Sequence, residues 1–138
     1  MLMHKVIFPA QFQYLDEIRE YVADEASRAG FDSKEVYSIQ LATDEAASNI
    51  IEHAYEGISG GEIEISCGMS GKLLTITLHD HGKPFDPSSV RPPNLKASLS
   101  KRQIGGLGIY LMRKLMDEVH YQSLPSGGNV LTLVKRRG

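Results

Sequence analysis

Between residues 62 and 80 apolar side chains recur at every second position: Ile63, Ile65, Cys67 and Met69, then Leu74, Ile76 and Leu78, with Ser70 and Gly71 between the two runs. A period of two marks a strand with one face toward a core, and a tight glycine-containing connection makes two such strands a hairpin. One buried face needs a second layer to cover it. Three stretches with helical period supply that layer. Phe12, Leu15, Ile18, Val22 and Ala26 predict a first helix that stops near Gly30. Asp32 followed by Glu35 is a capping pair that opens a second, whose stripe of Val36, Ile39, Thr43, Ala46, Ala47, Ile50 and Ala54 runs toward Glu56 and Gly57. Leu107, Leu111 and Leu115, with Met112 and Met116, predict a third that begins directly behind Gly105, Gly106 and Gly108. Lys5 to Phe8, Val119 to Gln122 and Val130 to Val134 read as further strands, the last two separated by the turn residues of 125–128. The expected architecture is α+β: a two-layer sandwich with a mixed, mostly antiparallel sheet and helices on one face.

The 138 residues are the size of one domain, 1–138, able to bury roughly two thirds of the surface of the unfolded chain. Fifteen Lys and Arg against seventeen Asp and Glu give a net charge of −2, so no global basic field draws the chain to nucleic acid or to an anionic membrane. A single Cys67 cannot close an internal disulfide, and no stretch approaches the roughly 20 apolar residues of a membrane span. A cytoplasmic location is expected. From Asp86 to Ile104 the periodicity vanishes among prolines, serines and basic residues, a segment too long for a routine connector.

Three places carry chemistry. On the second helix Glu45, Asn49 and His53 follow one another at four-residue steps, which line one edge over about 12 Å. A solvated face would show the same row, yet Asn is a poor interior helix former, and Ala46, Ala47 and Ser48 leave room for an approaching group. A carboxylate and an amide oxygen one turn apart suit a hydrated Mg²⁺ or an attacking hydroxyl. On the hairpin, counting in twos from Leu74 puts Asp80 on the apolar face at the end of its strand. A carboxylate buried there needs a partner, either the backbone amides of its own turn or a ligand, with Gly82 allowing close approach. His79 and His81 flank it on the other face, too few for a metal cage. Finally, glycines at the opening of the third helix could leave N–H groups for an anion, with Lys101 and Arg102 just upstream. Merely leaving a flexible loop would also use glycine. The Walker A pattern is absent.

In this order, Glu45-x-x-x-Asn49, Asp80-x-Gly82-x-x-Phe85 and Gly105-Gly106-Leu107-Gly108 resemble the GHKL (Bergerat-fold) ATP-binding superfamily of gyrase, Hsp90, MutL and sensor histidine kinases. Within it, TDEAASNIIEHAYEG, DHGKPFDP, GGLGIYLMRKLMDEVHY and GGNVLTLVKR are most similar to the anti-sigma-factor serine kinases of the RsbW type. The resemblance implies ATP and Mg²⁺ as cofactors, Asn49 on the metal, Asp80 on the adenine amino group with Gly82 and Phe85 in the same motif, and Thr132 helping to hold adenine. It further implies phosphate contacts from Gly105, Gly106, Leu107 and Gly108, with His53 on the phosphate-side wall, Lys101 or Arg102 neutralising transferred charge, and an ATP lid at about 86–104. Glu45 becomes the base or orienting group for a serine hydroxyl. The implied partners are a sigma factor, which is sequestered, and a STAS-type anti-anti-sigma protein, which is phosphorylated; a homodimer is implied as well. Alternatives are an ATP-sensing binding switch or ATPase without protein phosphorylation, a histidine-kinase ATP-binding half acting in trans, and an inert α+β domain in which Asp80 is satisfied by its own turn.

Overall fold

The computed structural model describes residues 3–85 and 104–138, with only the backbone path for residues 104–108. The chain runs β1 (His4–Pro9), a short 3₁₀ turn (Phe12–Tyr14), α1 (Leu15–Arg28), α2 (Ser33–Asn49), a π-helical turn (Ile50–Ala54), β2 (Glu62–Ser70), β3 (Leu73–Asp80), α3 (Ile104–Leu115), β4 (Glu118–Ser123) and β5 (Asn129–Arg136). Five strands form one sheet in the order β1-β2-β3-β5-β4. Every pairing among the described residues is antiparallel, so the parallel component of a mixed sheet is not found there.

The β2–β3 hairpin pairs Ser70 with Leu73 around Gly71 and Lys72. Its turn therefore lies one residue beyond the predicted connection, with Gly71 at φ +60°, the left-handed value that a two-residue hairpin loop opening on glycine uses. Ile63, Ile65 and Cys67 of β2, Leu74, Ile76 and Leu78 of β3, and Leu131 and Leu133 of β5 are all buried toward the helices. From above, Ile18, Val22 and Ala26 of α1, Ile39, Ala42, Ala46 and Ala47 of α2, and Ile109 and Met112 of α3 close on them in one cluster.

α2 starts where the sequence demands. The Asp32 side chain accepts from Glu35 N at 2.7 Å while Glu35 Oε1 accepts from Asp32 N at 3.1 Å, a complete capping box that satisfies two otherwise orphaned N–H groups. Its far end departs from the expected uniform helix. From Ile50 the chain widens into the π turn, closed by Tyr55 N on Ile50 O at 3.1 Å, and Gly57 at φ +74° ends it. α3 differs too: it begins at Ile104, so Gly105, Gly106 and Gly108 lie inside the helix rather than ahead of it. The helical penalty of glycine, about 1 kcal/mol each, is small enough for packing to override. α3 packs on α2 and buries Ile109 and Met112 in the core, with Met116 just beyond its end. The proposed lid falls at 86–103 outside the described residues, as do Lys101 and Arg102.

Candidate functional site

Asp80 is the last residue of β3 and fully buried on the helix-facing side. Its Oδ1 accepts two hydrogen bonds, from Gly82 N at 2.8 Å and from Asn129 Nδ2 at 3.0 Å. Its Oδ2 is buried with no hydrogen-bond partner among the described residues. Burial pushes the Asp80 carboxyl above its usual range, against the lowering effect of the Gly82 and Asn129 N–H groups. Its own turn, with Asn129, thus satisfies one oxygen and leaves the other unmatched among the described residues.

Asn129, the first residue of β5, lies opposite Asp80 in register and is buried. Sequence reasoning missed it. Its Nδ2 donates to Asp80 Oδ1 and, at 2.8 Å, to Lys83 O, while its Oδ1 accepts from the Tyr121 hydroxyl at 2.7 Å and from Phe85 N at 3.4 Å. The preceding Gly128 has φ +90°, and a Cβ there would stand 2.1 Å from Asp80 O. A glycine pair running straight into a polar residue just ahead of a predicted strand is the available signal. What it lacked was the β3–β5 pairing, which joins segments almost fifty residues apart.

The same register removes Thr132 from the site. Thr132 pairs with Thr77 of β3 and His120 of β4, between the inward-facing Leu131 and Leu133, so it lies on the open face of the sheet away from Asp80. The polar residue beside Asp80 is Asn129. Gly82 also acquires a different reason: a Cβ there would meet Ala54 O at 2.3 Å, so glycine is required by the close passage of the π turn. Lys83 N donates to that carbonyl at 2.7 Å.

These contacts join the end of α2 to the end of β3. The His53 ring, on the π turn, lies 5.9 Å from the Phe85 ring, and Phe85 lies 5.7 Å from Tyr121. His53 Nε2 is buried without a hydrogen-bond partner among the described residues, with Glu52 Oε2 4.0 Å away. Tyr55 ties down the opposite side, accepting from His81 N at 2.8 Å and donating to Glu62 O at 2.6 Å. One turn back, Asn49 is buried at the junction of α and π geometry, and its Nδ2 also has no hydrogen-bond partner among the described residues. The two ends of a carboxamide are interchangeable in shape, so an oxygen fits that position equally well. Glu45, half-buried, stands one turn before Asn49 on α2. The two predicted sites on α2 and β3 therefore adjoin, and each ends in buried polar atoms that nothing in the described chain satisfies.

A family model for the histidine kinase-like ATPase domain matches residues 8–135. The chain belongs to that family. It is 34% identical over 119 residues to the serine-protein kinase RsbW of Bacillus subtilis, covering 83% of this chain and 74% of that protein. To the RsbW of Listeria innocua it is 31% identical over 115 residues, covering 80% and 73%. Among solved structures, the RsbU and RsbW domains of a Mycobacterium tuberculosis protein superpose with a TM-score of 0.70 at 18% identity, covering 99% of this chain and 33% of that one. The catalytic domain of the histidine kinase ThkA superposes at 0.55 and 13% identity, covering 97% of both. At those identities the structural matches speak for the fold: a GHKL-type α+β domain with an antiparallel five-stranded sheet.

Proposed function

We propose that this chain is an ATP-dependent serine/threonine protein kinase that is also an anti-sigma factor: it phosphorylates a STAS-type anti-anti-sigma protein and sequesters a sigma factor. The observation that carries the nucleotide reading is the buried, unpartnered Asp80 Oδ2. The serine-kinase reading rests on the similarity to the RsbW kinases along most of the chain.

In this reading Asp80 Oδ2 accepts the adenine amino N–H while Oδ1 stays bound to Gly82 and Asn129. Asn49 would hold Mg²⁺ through its amide oxygen. Such an ion takes one or two protein ligands and completes its shell with phosphate and water. The metal supplies charge neutralisation along the phosphates. Glu45 accepts the proton of the substrate serine as its Oγ bonds to the γ-phosphorus and the bond to the β–γ bridging oxygen breaks, releasing ADP. N–H groups of the first turn of α3, at Gly105, Gly106 and Leu107, with Gly108 following, face the phosphates; Lys101 or Arg102 offsets charge on the transferred group, and His53 lines the phosphate-side wall. Residues 86–104 serve as the lid of a single domain. Among the described residues no helix is long and apolar enough to cross a membrane. The reading is completed by a cytoplasmic homodimer without direct nucleic-acid contact.

Incubation with γ-labelled ATP and a STAS-type anti-anti-sigma protein tests it. Label should appear on a serine or threonine of that protein and disappear with Glu45→Ala while ATP binding persists. Transfer that survives in Glu45→Ala removes the base assignment, and tight ATP binding with no transfer by the wild type makes the chain a nucleotide-dependent binding switch instead.

A further inference from the structure

Asn129 has four hydrogen-bonding positions, two donors and two acceptor lone pairs, and all four are used: Asp80 Oδ1, Lys83 O, the Tyr121 hydroxyl and Phe85 N. The polarity of this network follows from the groups at its ends. Phe85 N–H can only donate, and it reaches the Tyr121 oxygen at 3.1 Å, so the hydroxyl must spend its own proton on Asn129 Oδ1. Lys83 O can only accept, so the amide end facing it is the NH₂. The second NH₂ proton is thereby aimed at Asp80 Oδ1. With Gly82 N–H on the same oxygen, both local donors are collected on one side of the carboxylate, and Oδ2 is kept as an acceptor.

We infer that Tyr121 is a positioning residue for the nucleotide site: through its hydroxyl it locks the Asn129 carboxamide in the orientation that presents Asp80 Oδ2 to the base. The inference rests on the nucleotide reading of Asp80 and adds to it a residue on an edge strand, β4, that touches neither the carboxylate nor the open oxygen. Tyr121 is suited to the task. It is half-buried on the helix side of the sheet, its ring is packed against Phe85 at 5.7 Å, and its strand is held to β5 through the Tyr121–Leu131 pair. Without the hydroxyl, Asn129 Oδ1 keeps only the longer Phe85 contact, and the carboxamide is held mainly on its NH₂ side, by Lys83 O and Asp80 Oδ1. Its plane is then less firmly fixed, and the N–H aimed at Asp80 Oδ1 is less well aligned.

The test is titration calorimetry of the intact chain with Mg-ATP for the wild type, Tyr121→Phe, Asn129→Ala and the double variant, with Asp80→Asn as reference. Loss of one neutral hydrogen bond acting through Asn129 should weaken ATP binding roughly three- to tenfold in Tyr121→Phe. Because Tyr121 acts through the amide, the double variant should bind no more weakly than Asn129→Ala alone. In turnover the KM for ATP should rise in Tyr121→Phe with kcat unchanged, a split that general loosening of the fold would not give. If the wild type binds, Asp80→Asn does not, and Tyr121→Phe stays within twofold of the wild type, the inference is wrong and the nucleotide reading stands. Multiplying effects in the double variant also overturn it. Absence of wild-type binding brings down the nucleotide reading itself, and this inference with it.

Discussion

Replacing Asp80 with Asn separates what this carboxylate does for the fold from what it does for a ligand. The amide is isosteric, and its oxygen can keep both bonds now made to Oδ1, from Gly82 N at 2.8 Å and Asn129 Nδ2 at 3.0 Å. The change falls on the other side, where the unpartnered Oδ2 becomes an NH₂. An adenine amino group that met a charged acceptor now meets a donor. Loss of one charge-assisted hydrogen bond, with two donors left facing each other, costs about 3 kcal/mol, or roughly a hundredfold in Kd. Stability should move the other way. Burial raises the Asp80 carboxyl above its ordinary value near 3.8, so its contribution to stability is fully present below that value and is lost as pH rises through its higher folded value. At neutral pH the neutral variant should therefore unfold at the same temperature as the wild type or higher, and the wild type should gain relative to it on acidification toward pH 4. Calorimetric titration with Mg-ATP gives the first quantity and thermal unfolding across pH the second. Binding within threefold of the wild type would refute the adenine assignment; a variant that loses binding and stability together would show Asp80 to be a structural residue.

Glu25 should behave with the opposite sign. It is buried between His4 Nδ1 at 2.8 Å and Arg28 Nη2 at 3.0 Å, and although burial opposes its charge, these bonds hold its carboxyl below the usual value of 4.5. Its stabilisation is present above that value and fades as pH falls through the lower folded one, so the urea-unfolding advantage over Glu25→Gln, about 1.5 kcal/mol at pH 7, should shrink below pH 4.5. An advantage that does not change with pH would contradict the pairing. Gly82→Ala would place a Cβ 2.3 Å from the Ala54 carbonyl and should destabilise by about 1–3 kcal/mol in the same assay. Unchanged stability would mean that the π turn can withdraw.

Most of the scaffold was written in local pattern. The alternation through Ile63 and Leu78 set the hairpin, the Asp32–Glu35 pair set the start of α2, and counting in twos placed Asp80 inside. Each depends on residues within a few positions of one another. The failures share a different cause. That β5 rather than β4 lies beside β3 is a long-range pairing with no local mark, and without it Asn129 has no assigned role and Tyr121 reads only as a strand residue, while Thr132 takes a role that belongs to the opposite face. The π turn was equally hidden: Ile50, Ile51 and Ala54 fit an α-helical stripe, and the widening shows only in the Tyr55–Ile50 bond that brings His53 onto Phe85. The apolar period of Leu107, Leu111 and Leu115 starts the third helix behind Gly105 and Gly106, whereas the helix takes them in; the glycine penalty is modest, and burial of Ile109 and Met112 outweighs it.

The central claim is that the ends of α2 and β3, with the opening of α3, surround one nucleotide. A crystal structure of the chain with Mg²⁺ and a non-hydrolysable ATP analogue tests it most directly. The account predicts the adenine amino nitrogen within hydrogen-bond distance of Asp80 Oδ2, the Asn49 amide oxygen on the metal, and the phosphates at the first turn of α3. An analogue bound elsewhere, with Asp80 Oδ2 still unpartnered, would contradict it.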